Sequence, residues 1–230
     1  MPNDAAPPEP KLWKDVPRGT VLHFAPHPDD EVAGTGGVLA MHRRQNDPVH
    51  VVVATDGIAG DPDRRYAAQQ YAELRRSESR RGLEIVGVRD VTFWGFPDNC
   101  VLSASDVELG VQRATAELER VRPTIVYLPW EHEGHPDHHA LHTIVLAAFE
   151  RTKWQGLALG YEVWNAMVPD VIVDVTSVVE QKKNAMLAHA SQLAYTRYDH
   201  CMLGLAAYRS MVHLGGKGYG EAFRIVRGSR

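Results

Sequence analysis

The sequence Thr-Val-Leu-His-Phe-Ala-Pro at residues 20–26 is a short apolar run, and five further segments of strand character follow it along the chain. Such runs, rich in β-branched residues, are typical of buried strands. The other five segments are Val49–Thr55, Val91–Gly95, Thr124–Pro129, Gly156–Ala166 and Val171–Val175. Between them lie segments of helical spacing at Gly36–Gln45, Ala67–Val86, Asp106–Arg120, Pro136–Arg151 and Val178–Leu193. This alternation predicts an α/β fold whose mostly parallel sheet carries helices on both faces.

Length and composition indicate one domain preceded by a short arm. The chain has 230 residues, of which 44% are hydrophobic and 23% charged, as expected of one folded domain. Residues 1–18 are rich in proline and charge, and we expect a flexible N-terminal arm there. Residues 19–230 are expected to form a single α/β domain. Because such an arm can pack on a neighbouring subunit, a homo-oligomer is among the expected states.

Charge and hydropathy argue against two classes of partner. The net charge is −4, and no stripe of Lys and Arg is visible that a phosphate backbone would require. No uncharged apolar run approaches the ~18 residues of a membrane span, and the N-terminus lacks the apolar segment of a secretory signal. We therefore expect a cytoplasmic protein that binds neither nucleic acid nor membrane.

The first cluster of polar residues directly follows the first predicted strand. It reads Pro26-His27-Pro28-Asp29-Asp30-Glu31. An imidazole and a carboxylate three residues apart can turn toward one point, which suits a zinc ion. Capping of the next helix would account for one of these acids, but not for a histidine and three acids together.

The second cluster follows the predicted strand that ends at Pro129. It reads Glu131-His132-Glu133-Gly134-His135-Pro136-Asp137-His138-His139. Five of the twelve histidines lie between His132 and His142. Both clusters fall at carboxyl ends of strands, where open α/β sheets bind ligands. His138 and His142 are spaced as helix neighbours, but His142 lies a turn deeper in the predicted helix, so we favour His135 and His138.

Together the clusters supply the parts of a metal-dependent hydrolase. His27, one aspartate and His138 would make three ligands, and a catalytic zinc keeps its fourth position open for water. The ion lowers the pKa of that water, and a neighbouring carboxylate can take its proton. His135 would stabilise the oxyanion and protonate the leaving amine, while Asp137 would hold the His135 ring in its tautomer. Spacing alone does not decide which aspartate binds the metal.

The two motifs, Pro26–Glu31 and Gly134–His138, resemble the paired signature of the PIG-L, or LmbE-like, family. Shorter matches extend the resemblance over most of residues 20–195, at Thr55–Gly57, Arg75–Glu78, Gly95–Asp98 and Lys183–Gln192. The resemblance implies a Rossmann-like fold and zinc-dependent hydrolysis of the acetamide of an N-acetylglucosamine-type sugar or its conjugate. It also implies that His27, Asp30 and His138 bind the metal. Asp29 is then the base that activates the water.

The resemblance also concerns the substrate side, where this chain departs from it once. The family residues that match Arg75 and Asp98 lie near the substrate sugar, so both are expected to contact substrate. Some family enzymes have a tyrosine two residues before the histidine that matches His135, where it assists the tetrahedral intermediate. This chain has Glu133 at that position. Either another group assists or His135 acts alone.

Several alternatives stay open at the level of the sequence. An amidase for a thiol conjugate or a longer acyl chain fits the same motifs, and Fe²⁺ or another divalent ion is compatible with His and Asp ligands. A metal-dependent binding protein without catalysis is a further alternative, although a structural zinc closes its fourth position with protein. Gly34-Thr35-Gly36-Gly37 lacks the spacing of a phosphate-binding loop. Substrate specificity is expected to depend on segments 57–65 and 195–220.

Overall fold

The computed structural model describes residues 9–99 and 102–228, and its strands form one sheet. The strands are β1 (Lys11–Trp13), β2 (Val21–Ala25), β3 (Val49–Thr55), β4 (Asp90–Phe96), β5 (Ile125–Pro129), β6 (Leu157–Tyr161), β7 (Val171–Asp174) and β8 (Gly220–Arg227). The helices are α1 (Asp30–Ala33), α2 (Gly36–Arg44), α3 (Ala68–Ile85), α4 (Ala104–Val121), α5 (Pro136–Thr152), α6 (Val179–Leu187), α7 (Ala190–Leu193) and α8 (Tyr198–Arg209). Short 3₁₀ turns lie at Ile58–Gly60 and Thr176–Val178.

The strand order is β1-β7-β8-β6-β5-β2-β3-β4. Every pairing in this sheet is parallel except those of β8, which runs antiparallel to β6 and β7. The predicted α/β class with a mostly parallel sheet is therefore confirmed. The sequence did not reveal β8, because Glu221 occupies a buried position within it and obscures the apolar pattern.

Strand β2 lies between β3 and β5, and all five of its residues are buried. Successive side chains of a strand point to opposite faces of the sheet. Leu22 and Phe24 belong to the core beneath α4 and α5, whereas Val21 and Ala25 belong to the core beneath α2, α3 and α6. Helices cover both faces of the sheet at β2. The segment that follows β2 therefore lies at the carboxyl edge of the sheet.

The prediction of a flexible arm over residues 1–18 does not hold for residues 9–18. Lys11–Trp13 forms the edge strand β1, which pairs with β7 in parallel, and Val16 is buried in the core. Backbone pairing and one apolar anchor therefore hold this segment to the sheet. Residues 1–8, the rest of the predicted arm, lie outside the described residues.

Two other predicted elements are shorter than expected. The helix predicted over 178–193 is broken at 188–189, where α6 ends and the buried His189 precedes α7. Glu78 of α3 accepts hydrogen bonds from the amide and the hydroxyl of Ser191, at 3.0 and 2.5 Å, which ties α7 to α3. The strand predicted over 156–166 ends at Tyr161, and the residues after it turn toward the second histidine cluster.

The amino end of α2 is occupied by a carboxylate of the protein itself. Glu221 accepts hydrogen bonds from the amides of Gly37 and Val38, at 2.7 and 2.8 Å, and pairs with the buried Lys182 at 2.6 Å. A helix amino end attracts anions, but here the place of a phosphate is already filled. The glycines serve close packing, since a Cβ on Gly34 would lie 2.5 Å from the Tyr161 ring.

No helix in the described ranges, 9–99 and 102–228, is long and apolar enough to cross a lipid bilayer.

His23, at the centre of β2, is a buried titratable group that the fold holds neutral. Its Nε2 lies 2.8 Å from the hydroxyl of Thr35, and its ring stacks against Tyr161 with the centroids 5.0 Å apart. The Thr35 hydroxyl donates to the Glu31 carbonyl at 2.7 Å, so its oxygen accepts a hydrogen bond from Nε2–H of the neutral His23 ring. Burial lowers the pKa of His23 from 6.5 to about 3. Protonation of this ring is therefore coupled to unfolding.

We predict that acid weakens the fold partly through His23. Between pH 6.5 and about 3 the unfolded chain binds one more proton at this residue than the folded chain, so its contribution to stability is lost as pH falls below 6.5. The slope is about 1.4 kcal/mol per pH unit. That slope is reached only well below pH 6.5, so urea unfolding of His23→Gln between pH 7 and 5 should show a slope smaller by about 1 kcal/mol per pH unit. The control Thr35→Val keeps the imidazole, so it should lower stability but retain the wild-type dependence of unfolding free energy on pH. Equal slopes in wild type and His23→Gln would contradict the prediction.

Candidate active site

The two histidine clusters meet because the strands that carry them are neighbours. β2 and β5 pair in parallel, so their carboxyl ends lie side by side. One carboxylate oxygen, Oδ2 of Asp30, lies 2.9 Å from Nδ1 of His27 and 3.1 Å from Nε2 of His138. All three residues are buried. The residues predicted as metal ligands are thus brought together by one shared oxygen atom.

Two of the spacings among these three side chains suit a divalent metal, because one Asp30 oxygen contacts both imidazoles. Atoms that bind one tetrahedral zinc at 2.0–2.2 Å lie roughly 3.3 Å from one another, close to the spacings at Asp30. Nε2 of His138 is buried, and no partner in the described part of the chain meets it with hydrogen-bond geometry. The lone pair of Nε2 is therefore better placed to bind a metal than to accept a hydrogen bond. His142, the alternative ligand, instead contacts the Pro129 carbonyl oxygen at 2.7 Å.

Among the described residues, the groups of side chains whose possible ligand atoms all lie close together share His27 and do not include Asp30. The ligand atoms of His27, Asp98, His135 and Asp137 all lie within 4.8 Å of one another, as do those of His27, His135 and His138. Nε2 of His27 faces Asp137 Oδ2 at 3.0 Å and Asp98 Oδ1 at 3.2 Å. Burial opposes a charge on His27, but its hydrogen bonds to Asp137, Asp30 and Asp98 raise its pKa well above the usual value. Carboxylates therefore hold this ring through both nitrogens.

Asp137 has different contacts from those that the sequence led us to expect. Its Oδ2 lies 3.8 Å from Nδ1 of His135, which is beyond hydrogen-bond distance. This oxygen instead accepts a hydrogen bond from the Asn99 amide at 2.8 Å and faces His27. The Asp137 backbone amide donates to Nδ1 of His135 at 3.2 Å. Asp137 therefore orients His27 through its side chain and His135 through its main chain.

His135 is the N-cap of α5 and faces the cavity as a neutral ring. Because Nδ1 accepts a hydrogen bond from the Asp137 amide, the proton of the neutral ring lies on Nε2. Burial and the neighbouring His27 lower the pKa of His135. The side chain is 21% exposed. At neutral pH this imidazole can donate one hydrogen bond from Nε2.

Asp29 lies beside the predicted metal ligands in a strained backbone conformation. Its φ of 153° is rare for a residue with a Cβ, and its side chain makes no hydrogen bond that caps α1. The Glu31 carboxylate accepts from the Asp29 amide at 2.9 Å, and Arg75 Nη2 lies 2.9 Å from Asp29 Oδ2. Burial, opposed by Arg75, raises the pKa of Asp29 to about 6. A carboxylate with this pKa can both accept and return a proton near neutrality.

Arg75 and Asp98, expected to contact substrate, line the cavity but already have partners within the protein. Arg75 donates to the carbonyls of Gly57 and Pro28, at 2.9 and 2.8 Å, in addition to Asp29. Asp98 Oδ2 accepts from the Ala59 amide at 3.0 Å, while Oδ1 faces His27. Contact of either residue with substrate stays a prediction, and positioning of His27 and Asp29 is the role that these contacts describe.

A cavity of about 500 Å³ opens above these residues. Its polar lining contains His27, Asp29, Asp30, Arg75, Asp98, Asn99 and His135. Its lining also contains Ala33, Val163 and Trp164, which no sequence motif identified, and Thr196, Tyr198, Cys201 and Met202 from the predicted specificity segment 195–220. Trp164 is 65% exposed, and its ring lies 5.8 Å from that of His135. Ala59, Gly60 and Tyr195 of the two predicted specificity segments also line the cavity.

Histidines and aspartates gathered at the carboxyl edge of a parallel sheet form a site of the kind that metal-dependent hydrolases use. Residues 22–149 match the profile of the PIG-L family, described as GlcNAc-PI de-N-acetylase. The chain therefore belongs to the PIG-L family, as the two motifs predicted.

Similar proteins carry the names of deacetylases. The diacetylchitobiose deacetylase of Thermococcus kodakarensis is 27% identical over an alignment covering 90% of this chain and 83% of that protein. The 1D-myo-inositol 2-acetamido-2-deoxy-alpha-D-glucopyranoside deacetylase of Mycobacterium sp. (strain KMS) is 29% identical, covering 80% and 77%. These relatives are amide hydrolases by name.

Solved structures show how widely the fold is used. The N,N'-diacetylchitobiose deacetylase of Pyrococcus horikoshii superposes with a TM-score of 0.78 at 24% identity, covering 90% of this chain and 83% of that one. GalB of Pseudomonas putida KT2440, a 4-carboxy-2-hydroxymuconate hydratase, superposes with a TM-score of 0.76 at 22% identity, covering 92% and 98%. The same fold therefore supports different reactions, and the chemistry must be argued from the site.

We predict that Arg75→Lys destabilises the protein. A lysine has one nitrogen in place of the two that serve Gly57, Pro28 and Asp29, so buried carbonyl oxygens lose their donors. At about 1–3 kcal/mol for each unsatisfied group, the free energy of unfolding should fall by about 2–4 kcal/mol in urea titrations. Arg81→Lys on the same helix, where the exposed Arg81 donates a hydrogen bond to the Ser77 hydroxyl, should change it by less than about 0.5 kcal/mol. Similar losses in both variants would contradict the assignment.

Proposed function

We propose that this protein is a metal-dependent N-deacetylase that hydrolyses the acetamide of an N-acetylglucosamine-type sugar or conjugate. The observation that carries the proposal is the buried contact of Asp30 with both His27 and His138, beside a cavity that Asp29 and His135 also line. Family membership and the deacetylases among the relatives support it.

His27, Asp30 and His138 would hold the metal, and Zn²⁺ is the ion that this donor set favours. Two imidazoles and one carboxylate are the ligands of many catalytic zinc sites, which keep one position open. When bound, the ion supplies a Lewis acid that makes water more acidic and polarises the acyl oxygen. Fe²⁺ is compatible with the same donors, so the metal content of the purified protein is part of the test.

Asp29 and His135 would perform the proton transfer and the oxyanion stabilisation. Asp29 takes a proton from water as the water oxygen attacks the acyl carbon. The Nε2 proton of the neutral His135 donates a hydrogen bond to the developing oxyanion. As the C–N bond breaks, the protonated Asp29 returns its proton to the amine, which leaves acetate and a free amino sugar. The lowered pKa of His135 favours hydrogen-bond donation over the proton transfer to the amine that the sequence suggested.

The cavity supports a sugar-sized substrate. A volume of about 500 Å³ lies within the range of small-molecule sites. Trp164 presents an exposed ring beside His135, and aromatic rings offer a flat apolar face on which a sugar ring can pack. A substrate stacked on Trp164 would place its acetamide next to His135.

We predict that activity requires both the metal and Asp29. Chelation should abolish release of free amine from N,N'-diacetylchitobiose, and one equivalent of Zn²⁺ should restore it. Asp29→Asn should lower kcat by about 10²–10⁴-fold, the usual contribution of a general base, yet still bind Zn²⁺. Asp30→Asn should lose Zn²⁺ binding as well.

The matched control is Asp15→Asn, an exposed position outside the cavity, which should behave as wild type. Activity that survives chelation, or an Asp29→Asn variant within tenfold of wild type, would refute the mechanism.

The alternative substrate class is a longer acyl chain or a thiol conjugate, and one observation favours it. Ala33, Val163 and Met202 form an apolar wall of the cavity, which would suit an alkyl chain. We predict that N-acetylglucosamine and N,N'-diacetylchitobiose are nevertheless hydrolysed with higher kcat/KM than N-butyrylglucosamine or an S-conjugated N-acetylcysteine. The reverse order, measured by release of free amine, would select the alternative. Zn²⁺ binding without turnover of any of the four compounds would favour a non-catalytic binding protein.

A further inference from the structure

Glu133 stands where some family enzymes have the assisting tyrosine, yet it does not face the cavity. Its side chain is completely buried, and it is absent from the residues that line the cavity. It therefore cannot touch substrate in this conformation. The place of the tyrosine is taken by a carboxylate that points into the protein, behind the cavity wall.

One oxygen of Glu133 serves the loop that follows β6. Oε1 accepts hydrogen bonds from the Val163 amide at 2.8 Å and from the Trp130 indole at 3.0 Å, with a longer one from the Asn165 amide at 3.4 Å. These donors belong to the segment on either side of Trp164 and to the end of β5. Glu133 thus provides a hydrogen-bond acceptor for backbone amides that follow the end of β6.

The other oxygen of Glu133 is shared between this loop and the cluster of His27, Asp30 and His138. Oε2 accepts from the Trp164 amide at 2.9 Å and lies 3.0 Å from Nδ1 of His138, an ion-pair contact without hydrogen-bond geometry. A carboxylate beside Nδ1 stabilises a proton there, and a proton on Nδ1 leaves the Nε2 lone pair directed at Asp30. Nε2 is the nitrogen that lies 3.1 Å from Asp30.

We propose that Glu133 is a positioning residue that couples metal binding at His138 to the placement of the Trp164 loop. Through Oε2, Glu133 sets the tautomer and orientation of His138. Through both oxygens it holds the Val163 and Trp164 amides in the cavity wall. Binding of the metal at Nε2 then orders the wall on which the sugar would pack. This inference rests on the proposed metal site and deepens it.

The variant Glu133→Gln tests the first half of the coupling. Its amide oxygen can still accept from the Val163 amide, but the neutral side chain removes the negative charge beside Nδ1 of His138. We expect the Zn²⁺ affinity, measured by competition with a chelator, to fall about 10–100-fold, as for other carboxylates behind a metal-bound histidine. Co²⁺ bound in place of Zn²⁺ should show an altered visible spectrum. Glu131→Gln, two residues earlier with a side chain 57% exposed, is the matched control and should bind Zn²⁺ as wild type does.

Hydrogen exchange of the Val163–Asn165 amides tests the second half. In wild type, Zn²⁺ should increase the protection of these amides, since it fixes His138 and thereby Glu133. The Zn²⁺-dependent increase should be lost in Glu133→Gln at Zn²⁺ concentrations that saturate the site. Both measurements use binding alone, so they stay decisive even if the protein deacetylates none of the tested sugars.

Two results would overturn the proposal. One is a Glu133→Gln variant that binds Zn²⁺ as tightly as wild type. The other is a Val163–Asn165 segment whose exchange in wild type does not respond to Zn²⁺. If Glu133→Gln does not fold, Glu133→Asp replaces it: this variant keeps the charge but retracts it, and we expect weakened Zn²⁺ binding with loop protection that no longer depends on Zn²⁺. Unchanged affinity and Zn²⁺-dependent protection in Glu133→Asp would count equally against the coupling.

Discussion

The contact of one Asp30 oxygen with two imidazoles is the interaction around which this structure is arranged. It gathers ionisable groups in a largely buried space, and burial of unpaired charge costs several kcal/mol for each ion. That cost is offset only because each group has a partner, as His27 does on both ring nitrogens. A divalent ion among these groups would remove much of the remaining electrostatic conflict, because it balances the carboxylates and replaces the protons on the rings.

The residues around this contact are joined by hydrogen bonds to α3, to the loop after β3 and to the loop after β6. Glu31 accepts from Ser79 of α3 and from the Asp29 amide, and Arg75 joins α3 to the carbonyls of Gly57 and Pro28. On the opposite side, Glu133 joins His138 to the loop after β6. The strained backbone at Asp29 persists because these contacts define it from two sides. The Asp29 carboxylate is thereby held in one place, as the role of base proposed for it requires.

The cavity combines a rigid polar lining with a wall built from distant parts of the chain. The polar lining rests on β2, β4 and β5, whose positions are set by sheet pairing and by the cores on both faces. The wall comes from the loop after β6 and from the region of α8. Loops of this kind vary without disturbing the sheet, which is consistent with one fold supporting both deacetylases and a hydratase.

The sequence by itself determined the α/β class, most of the strands and helices, and the two motifs, because local periodicity and the spacing of His and Asp are properties of short segments. It did not reveal β1, β8 or the buried Glu221, since three-residue edge strands and buried polar residues lack an apolar pattern. It named Arg75, Asp98 and Asp137 as functional, but only the tertiary structure assigned their partners, which lie far away in the chain. Glu133 illustrates the limit: its type and position were visible, while its inward direction depends on where β5 and β6 bring His138 and the Val163–Asn165 amides together.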